Sequence, residues 1–187
     1  MRTILSILLA LFAGAAASTE LTFHASAFDA ALKRELFMND GRYVMSGTPD
    51  GCAFAYLESP SSTIRDGRIF IRARFSGRAG ANVGGSCVGT GDTFWVTLSA
   101  QPAARGDLLV LEQIRVDEAK DVFRGLFERL LARRKKPLAL NLRKEFERAL
   151  TRPDAPFEME LVDLKIKRVV TQNDRLQIAL DLAIVAK

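Results

Sequence analysis

Apolar and polar positions along this chain recur with one of two periods, and the switches between them outline its elements. From Ser26 onward, Phe28, Ala31, Leu32 and Leu36 recur at i, i+3, i+4 and i+8, while Asp29, Lys33, Arg34 and Glu35 fall mostly off that stripe. This is the spacing of an amphipathic helix. Ser26 is its predicted N-cap, and Asn39 and Gly41 end it because they tolerate a positive φ. A short extended piece, "ELTFHAS", precedes the helix. Beyond it the period drops to two. "CAFAYLE" (52–58), "RIFIRARF" (68–75), "TFWVTLS" (93–99) and "DLLVLEQIRV" (107–116) read as an antiparallel meander. Ile69, Ile71, Ala73 and Phe75 share one face, opposite Arg68, Phe70, Arg72 and Arg74; Phe94, Val96 and Leu98 share another. "ESPSST" and "QPAARGD" read as breaks, and the Gly-rich "GRAGANVGGSCVGTGD" (77–92) as a long connection.

Helical spacing returns in "DEAKDVFRGLFERLLARR", with acids at its start and Arg133 and Arg134 at its end, the order the helix dipole favours. Pro137 interrupts, and "LALNLRKEFERAL" resumes the helical pattern. Two long strands close the chain, "FEMELVDLKIKRVVT" and "RLQIALDLAIV", joined by the turn signal "QND". The apolar phase slips between Leu161 and Leu164, which predicts a β-bulge. Helix, four strands, two helices and two strands make an α+β protein, an antiparallel sheet of about six strands with helices on one face. No repeat or long linker divides it.

The first residues change the compartment. Arg2, an apolar run from Ile4 to Phe12 and "AAAS" match a secretory signal cleaved after Ala17. The run is shorter than the roughly 20 residues of a membrane span, and no Cys stands at the cleavage site to take a lipid. The expectation is therefore a signal peptide over 1–17 and one exported domain over 18–187. Its 26 basic and 22 acidic residues (27 Lys and Arg less Arg2) leave a net charge of +4. Export also reads Cys52 and Cys87, an even pair, as a disulfide. Folding the meander brings Cys87 back to the start of the first strand, where Cys52 sits.

Catalytic chemistry is sparse. The single histidine, His24, lies far along the chain from either cysteine and has no evident partner for acid–base work. "DEAKD" and "EMELVD" lack matching metal ligands; Asp117, Glu118 and Asp121 fit the start of a helix. The Gly-rich stretch has neither the P-loop ending nor dinucleotide spacing, and it leads into a strand. No catalytic residue, metal or cofactor is expected. Arg68, Arg72, Arg74 and Arg78 form one basic group, and Arg129, Arg133, Arg134, Lys135, Lys136, Arg143 and Lys144 another. Such runs read as solvated faces or as contacts to anionic headgroups. Nucleic acid is not expected, because the aromatics lie mainly at inward positions. Val122, Phe123, Leu126, Phe127, Leu130 and Leu131 recur at helical spacing and point inward, as filled core or as pocket wall.

An N-terminal amphipathic helix ("SAFDAALKREL"), a meander and the Leu-rich "LFERLLARRKKPLALNLRKEF" before two long strands resemble the small bacterial YceB-type envelope lipoproteins. These are similar to one lobe of the tubular lipid-binding (TULIP) superfamily. The resemblance spans nearly all of 18–187 and rests on pattern rather than a fingerprint motif. This chain departs from it in lacking the lipid-anchoring Cys and in carrying a cysteine pair. It implies a strongly curved sheet wrapped on helices around an apolar groove, and no catalytic residues. The expectation is a non-enzymatic protein of the bacterial periplasm holding a lipid-like apolar molecule. Phe28, Leu32 and Leu36 would form one wall, with Ile69, Ile71, Phe75, Phe94, Val96, Leu98, Phe127 and Leu131 completing the groove. The alternative is an envelope interaction protein with a filled core, meeting a protein partner or anionic membrane through Arg133, Arg134, Lys135 and Lys136.

Overall fold

The computed structural model describes residues 19–133, 137–151, 159–172 and 174–186. The predicted signal peptide and Arg134, Lys135 and Lys136 lie outside the described residues. In chain order the elements are β1 (Thr19–His24), α1 (Ala25–Glu35), β2 (Arg42–Gly47), β3 (Phe54–Arg65), β4 (Arg68–Val83), β5 (Ser86–Arg105) and β6 (Leu108–Glu118). They continue with α2 (Asp121–Ala132), β7 (Leu138–Asn141), α3 (Leu142–Leu150), β8 (Met159–Gln172) and β9 (Arg175–Ala186).

The fold is α+β and antiparallel, as the periodicity predicts. Its strands divide between two sheets rather than one. β2 to β7 form a six-stranded sheet in sequence order that curls into a half-barrel. β1, β9 and β8 form a three-stranded sheet that packs against β3 and β5. The amide of Ile166 in β8 donates to the carbonyl of Gly106 in the β5–β6 turn, at 2.9 Å, and ties the sheets together.

Several predicted boundaries move, each for a local reason. "ESPSST" does not break the strand. β3 runs through it with a shift of register between Glu58 and Ser61, and Ser59 takes a positive φ of 53°. A bulge is where a strand accommodates a proline without losing a ladder bond, and Pro60 sits there. "QPAARGD" likewise belongs mostly to β5. The β4–β5 pairing stops with Ile69, at the start of β4, opposite Ala100, so Pro102 lies where β5 pairs only with β6. The Gly-rich connection is a hairpin: Gly84 and Gly85, both at positive φ, make the two-residue turn between β4 and β5. Asn82 Oδ1 accepts from the Gly85 amide at 3.0 Å. Gly80 answers a different need, since a Cβ there would lie 2.6 Å from the Cys52 carbonyl oxygen, where the chain crosses the hairpin.

β2 was not expected from the sequence. "RYVMSG" lacks clean alternation because a register shift between Val44 and Ser46 breaks it. "LALN" is a strand rather than the start of a helix: Leu138 and Leu140 are buried alternately, and β7 pairs with β6. α3 then starts at Leu142, capped by Asn141, whose side chain accepts from the Lys144 amide at 3.1 Å. The N-cap position of α1 is His24, not Ser26, with no side-chain capping bond, and α2 begins at Asp121, leaving Asp117 and Glu118 in β6. The predicted bulge in β8 is present between Leu161 and Asp163, with a second between Ile166 and Arg168.

Two buried clusters fill the interior. One joins Phe28 and Leu32 of α1 to Ile64, Ile69 and Ile71 of the larger sheet and to Leu176, Ile178 and Leu180 of the smaller. The other lies under α2, where Phe127 meets Leu57, Ala73, Phe75, Val96 and Leu98. Leu36, Tyr43 and Ile114 border both. Among the described residues no helix is long and apolar enough to cross a membrane.

Candidate functional site

α1 and α3 lie over the first cluster without closing on it. A cleft of about 450 Å³ remains between them. Its floor is aliphatic: Leu109 of β6, Leu140 of β7, and Leu176 and Ile178 of β9 are all buried. Leu21 and Phe23 of β1, Phe28 of α1, and Leu142 and Phe146 of α3 make the walls. The space exists because the helices present small side chains to it. Ala27, Ala30 and Ala31 line it from α1 and Ala149 from α3, where longer residues would reach across.

The polar groups of the cleft gather along one edge. Arg34 of α1 and Arg148 of α3 both pair with Glu145, and Arg148 also reaches Glu35 at 3.5 Å. Both carboxylates are largely covered, so the four charges form a network across the helices rather than isolated surface pairs. The hydrogen bond that Arg34 donates to the Glu145 carboxylate raises its guanidinium above its ordinary value, against an opposing pull from burial. An apolar floor with a few polar groups on one edge is the usual composition of a site for an apolar or amphipathic molecule, and the volume lies in the roughly 300–1,000 Å³ range of such sites.

A smaller recess of about 300 Å³ opens on the second cluster, between Phe123, Leu126 and Leu130 of α2 and Phe54, Ala55 and Phe75 of the sheet. Lys120 Nζ, at the start of α2, bonds Asp92 Oδ2 of β5 at 2.6 Å beside it. That hydrogen bond, then the Thr93 amide, holds the Asp92 carboxyl below its ordinary 3.8. A depressed carboxylate stabilises the fold above its unfolded value and loses that contribution as pH falls through the folded one. Asp92→Asn is therefore expected to lower the thermal midpoint slightly at neutral pH. The difference should vanish well below pH 3.8, a trend that melting curves across pH would check. A third, more polar recess between β6 and the end of α2 is lined by Leu131.

The predicted groove residues are spread over these regions. Phe28 lines the α1–α3 cleft, and Leu32, Ile69 and Ile71 belong to the cluster beneath it. Leu36 lies at the border, while Phe75, Phe94, Val96, Leu98 and Phe127 belong to the second cluster, with Leu131 packed against it. Most of the cleft's lining came from elements whose apolar faces were legible, such as Leu142, Phe146, Leu176 and Ile178, but not their convergence. The alanines carried no signal of their own. Arg133 is exposed at the C-cap of α2. Cys52 and Cys87 form the expected disulfide, with Cα atoms 5.4 Å apart. Among the described residues no group of three or more His, Cys, Asp or Glu side chains is placed to hold a metal. No protein-family model matches this chain, and no curated protein matches it.

Proposed function

We propose that this protein is a non-enzymatic carrier or presenter of a lipid-like molecule, exported to the periplasm, with the α1–α3 cleft as its site. The observation that carries this reading is the pairing of an aliphatic, buried floor with helix surfaces that leave it uncovered through alanines. An acyl chain would lie along Leu109, Leu140, Leu176 and Ile178, and a polar head would meet Arg34 and Glu145 at the edge. The Cys52–Cys87 disulfide supports an oxidising compartment.

Gentle purification, organic extraction and mass spectrometry test the proposal. A lipid or fatty acid recovered near one equivalent is expected; an extract with none, from a protein that also fails to bind added acyl probes, would refute it. The alternative, an interaction protein using its helix pair, draws on Val122, which is 79% exposed in the first turn of α2, and on Arg133, exposed at the other end of that helix. Crosslinking in cells that captures a partner through α2, and leaves the cleft without ligand, would favour it.

A further inference from the structure

The outer face of the six-stranded sheet carries a pattern that the cleft does not use. Ile69, Ile71, Ala73 and Phe75 of β4 turn inward, so Phe70, Arg72 and Arg74 turn away from the core. The register extends that outer face sideways. Phe70 lies opposite Thr63 and Ser99, Arg74 opposite Trp95, and Ser99 opposite Arg115. Rings and guanidiniums alternate over it: Arg72 sits 4.8 Å from the centre of the Trp95 ring, and Arg65 4.4 Å from that of Phe70. Arg74 pairs with Glu58. Among the described residues no carboxylate pairs with Arg65, Arg72 or Arg115, and all three are exposed, as is Trp95 at 49%.

We propose that this arginine–aromatic face docks on an anionic lipid surface. A guanidinium lying over a ring keeps its edge N–H groups free, and their fork matches the oxygens of a phosphate. Tryptophan favours the headgroup level of a bilayer, where its ring is half apolar and half wet. A nucleic acid would need rings open for stacking in a basic groove, whereas both rings here are already covered on one side by arginine. The excess of unpaired arginine supplies the charge complementarity that an acidic membrane requires. None of these residues lines the cleft; Arg115 alone borders the recess beside the end of α2.

Trp95 is the only tryptophan in the chain, so its emission reports directly on the face. Phosphatidylcholine–phosphatidylglycerol vesicles should shift that emission to the blue and sediment the protein, and added salt should weaken both effects. Phosphatidylcholine alone should do neither. Arg65→Gln, Arg72→Gln and Arg115→Gln combined should weaken binding roughly a hundredfold, at about fivefold for each arginine near an anionic surface. Substituting residues 133–136 by Gln, or filling the cleft with Ala30→Leu and Ala149→Leu, should leave vesicle binding in place. The proposal is overturned if neutral vesicles bind as well, if the triple variant binds unchanged, or if either control variant loses binding. It is equally overturned if single-stranded DNA shifts the emission while anionic vesicles do not.

Discussion

Phe75→Ala is expected to lower the unfolding free energy by about 3–5 kcal/mol, the usual cost of removing a buried aromatic ring. Phe75 is 1% exposed and stands at the centre of the second cluster. Its ring lies 5.0 Å from those of Phe94 and Phe127 and 6.5 Å from that of Phe123, so it joins the sheet to α2. Alanine would remove the apolar area and leave a hole that three neighbouring rings cannot all move to fill. Against a total stability of about 5–15 kcal/mol for a typical domain, this is a large share. Urea denaturation should show the midpoint falling with little change in slope. A loss below about 1 kcal/mol would mean that α2 is not seated on the sheet as described.

Replacing Cys52 and Cys87 together by serine is expected to cost a comparable amount, about 3–4 kcal/mol in the chain-entropy account for a loop of this length. The cysteines are 35 residues apart, and the loop between them contains all of β3 and β4. Local structure adds to the effect. The bridge ties the Cys52 segment to the far half of the β4–β5 hairpin, whose glycines contribute no side-chain packing. Chemical denaturation of the serine variant should show the lost stability, and hydrogen exchange should rise first over residues 79–91. A variant as stable and as protected as the parent would contradict this.

The sequence made legible what depends on one element at a time. The α1 stripe, the inward face of β4, the phase slip in β8 and the cysteine pair all follow from spacing within a short window, and all are present. Features set by a distant partner were not legible. Leu138 and Leu140 are compatible with either period, and only pairing with β6 makes them a strand. Pro60 and Pro102 read as breaks because their tolerance depends on a bulge and on a missing neighbour strand. The cleft is the hardest case. Apolar faces predict where large side chains point, whereas a cavity is made by side chains that stop short, here Ala27, Ala30, Ala31 and Ala149 on two helices far apart in sequence. The expected groove, from Phe28, Leu32 and Leu36 across Ile69 to Leu98 and on to Phe127 and Leu131, rests on large side chains alone; of these Phe28 lines the cleft, and Phe75 and Leu131 line the other two recesses.

The α1–α3 cleft is tested most directly by titrating a fluorescent fatty acid into the unmodified protein and into the Ala30→Leu, Ala149→Leu variant. Both substitutions point leucine into the cleft without removing any core contact, so the variant should melt no lower than its parent. The unmodified protein is expected to bind the probe saturably at one site, and the variant at least about tenfold more weakly, the equivalent of about 1.4 kcal/mol. Equal binding by the two proteins, or no binding by either, would contradict the assignment of the cleft as a lipid site.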